Sequence, residues 1–281
     1  MTEALPAELA AAEERVAALL RGRAPLGVAF SGGVDSSVLL ALAVRTLGAD
    51  GVRAIVAVSP SLPERERLDA REIAALVGAP VVELPTREGE RAAYRANGPD
   101  RCYHCKHELF DRIWSELPAR EGLAALAYGE NADDIRRADR PGGRAAREFG
   151  VLRPLADAGI GKATVRALAR ALGLPNADKP AAPCLASRIP HFSEVTPAKL
   201  AQVEKAENAL RELGFRDLRV RHHGDVARVE LLAEDLVRAA AAPLRDRVRS
   251  AVLDAGFRFV AVDLGGLQSG ALTLPLVDVR G

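Results

Sequence analysis

Phe30-Ser31-Gly32-Gly33-Val34-Asp35-Ser36-Ser37 is the stretch on which the reading of this chain turns. It follows Leu26-Gly-Val-Ala-Phe30, a short apolar run bounded by Pro25 and Ser31, which predicts a buried strand. It opens the run from Val34 to Leu47, which predicts a helix stopped by Gly48. Between the two, Gly32 and Gly33 let the backbone turn tightly and approach a ligand closely. The helix start offers unpaired N–H groups and a positive dipole end to an anion. Ser31, Ser36 and Ser37 add hydroxyl donors for phosphate oxygens. Asp35 beside a phosphate requires a cation between them, and Mg²⁺ held by that carboxylate resolves the conflict. The ordinary alternative is a capped helix start with a glycine turn, which a lone Gly-Gly would favour. The full pattern in a strand–loop–helix setting does not. A Walker A loop is excluded, because its Gly-Lys-Ser/Thr is missing.

Residues 7–21 predict an amphipathic opening helix. Val52 to Val58 predicts a second strand, Arg65 to Val77 a helix, and Val81 to Leu84 a third strand. Strands alternating with helices predict an α/β fold, a parallel sheet with helices on both faces. Pro85 to Asp100 reads as polar and irregular. A helix over Cys105 to Glu116 and a strand over Leu123 to Tyr128 follow. Arg136 to Arg147 reads as a mobile Gly/Arg-rich loop, and Lys162 to Leu172 as a helix. Prolines 175, 180, 183, 190 and 197 interrupt the next stretch, which sets the expected boundary between a domain over 1–180 and a smaller one over 181–281. After it come a helix (198–213), two strands (218–222, 226–231) around His223-Gly224-Asp225, helical chain over 234–254 broken at Pro243, and a strand over 257–262. That order predicts a small α+β domain.

The chain has 281 residues, enough for one or two domains at about 150 residues each. Hydrophobic residues make up 48%, which supports a packed core and argues against disorder. The 39 Lys and Arg nearly cancel the 38 Asp and Glu, which counts against a strongly basic nucleic-acid binder. No apolar run reaches the ~18 residues of a membrane helix. The start carries acids and lacks a charged-then-apolar signal pattern, so a cytoplasmic protein is expected.

The loop resembles the pyrophosphate loop of the N-type ATP pyrophosphatases. That resemblance implies cleavage of ATP between its α- and β-phosphates, adenylation of a substrate oxygen, and displacement of AMP by a nucleophile. Tyr128-Gly129-Glu130-Asn131-Ala132-Asp133-Asp134 follows a second strand, and ligands of such sheets collect beyond the carboxyl ends of strands. Asn131 and Asp134 are therefore candidates to face the nucleotide, the alternative being an Asx turn that caps a short helix. The adenine edge is expected to pair with backbone near Val58.

Cys102, Cys105 and Cys184 make a poor disulfide framework, since one is always left over. In a reducing compartment metal or sulfur chemistry is the better reading. Three thiolates satisfy three irons of a [4Fe–4S] cluster and leave the fourth open to an extra sulfide. A zinc site completed by His104 or His107 is the rival. Solvated or core thiols without metal are the third possibility.

SGGVDSS, RCYHCK, YGENADD, DKPAAPCLASRIP and RVRHHGDVARVE occur in that order, and together they are similar to the LarE family over about residues 8–270. The resemblance implies an ATP-dependent sulfur transferase of nickel-pincer nucleotide synthesis, acting on pyridinium-3,5-biscarboxylic acid mononucleotide. In one branch the cysteine matching Cys184 gives up its own sulfur. Another branch carries three cysteines and a [4Fe–4S] cluster, and this chain resembles that branch. The resemblance also implies that Arg219 and Arg221, two apart on a predicted strand and hence on one face, meet the substrate phosphate. Ser187, Arg188 and Lys106 are further candidates for the substrate, and Glu207 matches an acidic position near the family's active centre. The family forms hexamers. A tRNA thiolase and an amide-forming synthetase are the rival enzymes. The first needs a basic RNA surface; the second has no need of three cysteines.

Overall fold

The computed structural model describes residues 5–135 and 142–267. In chain order the elements are α1 (Ala7–Leu20), β1 (Leu26–Ala29), α2 (Val34–Leu47), β2 (Val52–Val58), α3 (Glu64–Val77), β3 (Val81–Pro85), α4 (Ala92–Arg95) and α5 (Arg101–Glu121). Then follow β4 (Ala125–Tyr128), α6 (Ala132–Ile135), α7 (Gly142–Glu148), α8 (Pro154–Asp157) and α9 (Lys162–Ala171). Among the described residues the last elements are α10 (Pro197–Glu212), β5 (Leu218–His223), β6 (Val226–Leu231), α11 (Ala233–Ala240), α12 (Leu244–Asp254) and β7 (Phe259–Val262).

Two compact units result: Met1–Glu88 with Cys102–Ala182, and Gly89–Arg101 with Pro183–Gly281. The first is built on a parallel sheet of order β3-β2-β1-β4. Alternation along the strands sends side chains to two cores. Val52, Ala54 and Val56 of β2 join α1, α2, α3 and α9. Ile55, with Val82 and Leu84 of β3, joins Phe110, Ile113 and Leu117 of α5 and Ala145 and Ala146 of α7. Helices thus cover both faces, as the alternating pattern predicts. Leu39, Leu40 and Leu42 of α2 are fully buried, each stabilising by about 1.5–3 kcal/mol relative to exposure. That burial fixes the helix whose N-terminus ends the phosphate loop.

The second unit carries the three-stranded sheet β5-β6-β7. β5 and β6 form the expected antiparallel hairpin, with Gly224 at φ +64° in its turn, and β7 adds in parallel.

Four expectations need correction. The helix expected from Cys105 starts earlier: α5 begins at Arg101 and takes Cys102 as well as Cys105 into its first turns. It also continues through Pro118, because the buried stripe Phe110, Ile113 and Leu117 holds its last turns on the sheet. Gly142–Glu148 is helical, not loop, with Ala145 and Ala146 buried and the Arg144 guanidinium 3.6 Å from the Tyr103 ring centre. The rest of that expected mobile loop, 136–141, lies outside the described residues. Gly89–Arg101 belongs with the second unit, a departure from the expected division at residue 180. Asn97 is the reason. It is fully buried at φ +57°, and its Nδ2 donates to the carbonyls of Ile189, Pro190 (2.7 Å) and Ser193 (3.0 Å).

Candidate active site

In the first unit the loop after β1 is folded back on itself by its serines. Ser36 Oγ donates to the Gly33 carbonyl (3.0 Å) and lies 3.2 Å from Ser31 Oγ. Gly32 sits at φ +71°, a conformation open to glycine. Ser37 is fully buried, and its hydroxyl meets Asn176 Nδ2 at 2.9 Å. Of the three serines, Ser31 is exposed, whereas Ser36 and Ser37 are buried in support of the turn.

The YGENADD segment is brought against this loop. Gly129 makes the approach possible, because a Cβ there would stand 2.6 Å from the Ser36 backbone N. Asn131 forms the Asx turn that the sequence allows it and also meets the loop. Its Oδ1 accepts from the N–H groups of Asp133 (2.9 Å) and Asp134 (3.1 Å), capping α6. Its Nδ2 donates to Asp35 Oδ1 (2.9 Å). Lys162 Nζ, at the start of α9, donates to Asp35 Oδ2 (2.5 Å). Asp134 is buried on α6.

Lys162 is a residue the sequence reasoning missed. A lysine opens α9 against the helix dipole, and that unfavourable placement was its available signal. The Asp35 carboxylate is the hard oxygen donor that Mg²⁺ takes, and it is only partly covered, so it fits the ion.

The backbone around Val58 alternates in direction along β2. The Val58 carbonyl accepts from Thr86 N–H (3.0 Å), while Ile55 accepts from Phe30 N–H (2.8 Å). Backbone groups alternate in direction along a strand, so Ala57 turns toward the β1 side, past the last β1–β2 register pair at Ala29 and Ile55.

On α5, Cys102 and Cys105 are three apart and share a helical face. Lys106 Nζ stands 4.4 Å over the centre of the Tyr128 ring, and Gly142 leaves room for its side chain. Cys184 caps a 3₁₀ turn, Leu185–Arg188, in the second unit. None of the three cysteines is in a disulfide. Among the described residues no group of three or more His, Cys, Asp or Glu is gathered as a metal site. Cys102 is exposed and Cys105 and Cys184 are half-buried, and thiols are the donor type that iron–sulfur clusters take.

The second unit gathers guanidinium groups around two buried carboxylates. Glu207 accepts from Arg188 Nε (2.8 Å), Arg211 Nη2 (2.9 Å) and the Val220 N–H (3.1 Å). Burial pushes the Glu207 carboxyl up, yet Arg188 and Arg211 together hold it below the usual range. Arg188 also donates to the carbonyls of Pro183 and Cys184, so Glu207 positions the turn that carries Cys184. Arg219 and Arg221 share one face of β5, as the spacing predicts. Arg221 is held by Glu230 through Nε (2.9 Å) and Nη2 (2.8 Å), and its Nη1 donates to the Ser187 carbonyl (2.9 Å). Burial, then the charges of Arg221 and Arg188, lower the Arg219 guanidinium. An anion beside Arg219 would relieve that crowding. Arg101, one residue before Cys102, was also missed. Its guanidinium binds Asn97 Oδ1 and the Ala186 carbonyl.

Residues 9–121 match the asparagine synthase family model. The chain is 32% identical over 210 residues to the glutamine-hydrolysing GMP synthase of Thermomicrobium roseum, a match over 66% of this chain but 38% of that one. An uncharacterised protein of Synechocystis is 41% identical over 245 residues, 87% of this chain and 90% of its own. The pyridinium-3,5-bisthiocarboxylic acid mononucleotide synthase of Lactiplantibacillus plantarum is 37% identical over 278 residues. With 98% of both chains aligned at that identity, the chain belongs to the LarE family, the family of that synthase, among the ATP-using proteins with a pyrophosphate loop.

Proposed function

We propose that this chain is an ATP-dependent sulfur transferase of nickel-pincer nucleotide synthesis. It adenylates the carboxylates of pyridinium-3,5-biscarboxylic acid mononucleotide and exchanges AMP for sulfur. The observation that carries the reading is the end-to-end likeness to a protein named for making the bisthiocarboxylic product. The chemistry is consistent. A carboxylate resists substitution because its leaving group would be oxide. Attack of a carboxylate oxygen on the α-phosphorus forms the acyl adenylate and releases pyrophosphate. A sulfur nucleophile then attacks the acyl carbon, and AMP leaves with the electron pair of the broken C–O bond.

The loop N–H groups, Ser31 and Lys162 hold the departing pyrophosphate, and Asp35 would hold Mg²⁺, which screens its charge. Asn131 orients the Asp35 carboxylate. Backbone near Val58, with that of Ala57 turned toward the β1 side, receives the adenine edge. Arg219 and Arg221, on one face of β5, receive the substrate's anionic groups, Arg221 while held in place by Glu230, and Lys106 and Ser187 lie on segments that serve them. Cys102, Cys105 and Cys184 would hold a [4Fe–4S] cluster, which when bound would supply sulfide. The protein acts as a homo-oligomer, a hexamer on the family resemblance, in the reducing cytoplasm that thiolate chemistry requires. Among the described residues no helix is long and apolar enough to cross a membrane.

Amide-forming synthesis is the second reading, favoured by the asparagine synthase match. That match ends at residue 121 and does not reach Cys184. The test supplies anaerobically purified protein with ATP, Mg²⁺, the dicarboxylate nucleotide and either sulfide or ammonia. Pyrophosphate release with a thiocarboxylate seen by mass spectrometry is expected. An amide product, or no pyrophosphate, overturns the proposal. Iron and acid-labile sulfide near four per chain, lost in Cys184→Ala, is the expected sign of the cluster. Their absence after reconstitution leaves Cys184 as its own sulfur donor.

A further inference from the structure

Asn176 follows α9 in the first unit, in a stretch whose prolines predict only irregular chain. It is 3% exposed, and its Nδ2 donates to the Gly32 carbonyl (2.8 Å) as well as to Ser37 Oγ. Its Oδ1 is buried without a hydrogen-bond partner. A carbonyl can only accept, so the contact with Gly32 fixes which end of the amide faces the loop. An amide that leaves its own oxygen unsatisfied carries a desolvation cost, and such costs call for an explanation.

The explanation lies in the peptide it grips. A trans peptide is planar, with C=O and N–H pointing opposite ways. Asn176 draws the Gly32 carbonyl inward, which turns the Gly33 N–H outward. There it makes one long contact, 3.4 Å to Ser31 Oγ on the exposed side. Two consecutive glycines let the peptide between them rotate at little steric cost. Ungripped, it would be free to present a carbonyl oxygen to the phosphates. The gripping residue is itself held. The Asn176 carbonyl accepts from Lys179 N–H (3.1 Å), Arg166 Nη1 donates to the Ala177 carbonyl (2.5 Å), and Lys179 Nζ pairs with Glu66 (2.9 Å) and Asp69 (2.7 Å) of α3.

We propose that Asn176 is a positioning residue that locks the Gly32–Gly33 peptide with its N–H aimed at the nucleotide's phosphates. This rests on the reading of the loop as the ATP site. The test titrates inorganic pyrophosphate and Mg-ATP into the full chain and its variants by calorimetry, and measures KM for ATP and for the dicarboxylate nucleotide. Asn176→Ala is expected to weaken pyrophosphate binding about tenfold or more, the scale of one bond to a charged group. Asn176→Asp weakens it further, since a carboxylate oxygen then faces the Gly32 carbonyl. KM for ATP rises in parallel while KM for the acceptor nucleotide holds. Arg170→Ala, which removes an exposed ion pair to Asp178 in the same stretch, leaves both unchanged. Should the alanine variant not fold, the isosteric aspartate variant carries the test. Wild-type affinity in the variants, or both KM values rising together, overturns the inference alone. Wild-type protein that binds neither pyrophosphate nor ATP overturns the nucleotide reading with it.

Discussion

Gly129 shows how a single position joins the two strand-end segments of the first unit. Its missing side chain lets the YGEN turn lie against the first turn of α2, where a Cβ would stand 2.6 Å from Ser36 N and 2.7 Å from Ser36 Cα. These are backbone atoms of a buried helix, so the turn must yield. Yielding stretches the 2.9 Å bond from Asn131 to Asp35. Gly129→Ala is therefore expected to destabilise by about 1–3 kcal/mol, the range for overpacking, and to raise KM for ATP. Thermal unfolding and ATP titration check both effects. An unchanged KM would mean that Asn131 does not set the Asp35 carboxylate. The same residue marks a limit of reading from sequence. A glycine after a strand signals a turn, but not which helix the turn must pass.

Among the elements, those built on period and stop signals were legible. α2 and β2 have the bounds that the apolar runs and Gly48 predict. Elements whose stability comes from distant partners were not. α7 is helical because its alanines pack on the sheet, although its glycines and arginines locally favour loop. α4 and its flanks join the second unit through Asn97, a long-range tie that no local pattern carries. The site divides in the same way. Ser31, Gly32 and Asp35 were legible from a contiguous motif. Lys162 and Asn176 reach the loop from 127 and 144 residues away. On β5 and β6 the spacing showed two arginines on one face, but not that Glu230 already fills the fork of Arg221. Glu230 is fully buried. Glu230→Ala leaves Arg221 buried without its counter-charge, a loss of about 3–5 kcal/mol. Urea unfolding should show that loss. Pyrophosphate affinity, a property of the other sheet, should hold, and a parallel drop in it would refute the assignment of Glu230 to support of the second unit.

Acid acts on the two units unequally. His222 is buried on β5, 5.3 Å from the Phe257 ring centre and 3.1 Å from Gln202 Oε1. Burial, reinforced by Lys199, lowers its pKa below the ordinary 6.5. As pH falls through about 6.5 the unfolded chain binds a proton that the folded chain does not, so stability falls with it. Glu207 adds a second loss at lower pH. Its folded pKa is depressed, so its contribution is whole above about 4.3 and is lost as pH falls through the folded value. Both groups belong to the second unit. In the first, the lowered carboxyls of Glu83 and Asp178 are paired with Arg67 and Arg170 near the surface, where ion pairs contribute little. Acid should therefore loosen the β5-β6-β7 unit first. Unfolding midpoints in urea are expected to drop between pH 7.5 and 5.5, and His222→Gln is expected to flatten that drop. Pyrophosphate binding should outlast the loss of hydrogen-exchange protection in β5. If the slope is the same in the variant, His222 is not the group that titrates. If pyrophosphate binding fails first, the stability of the phosphate loop depends on the second unit.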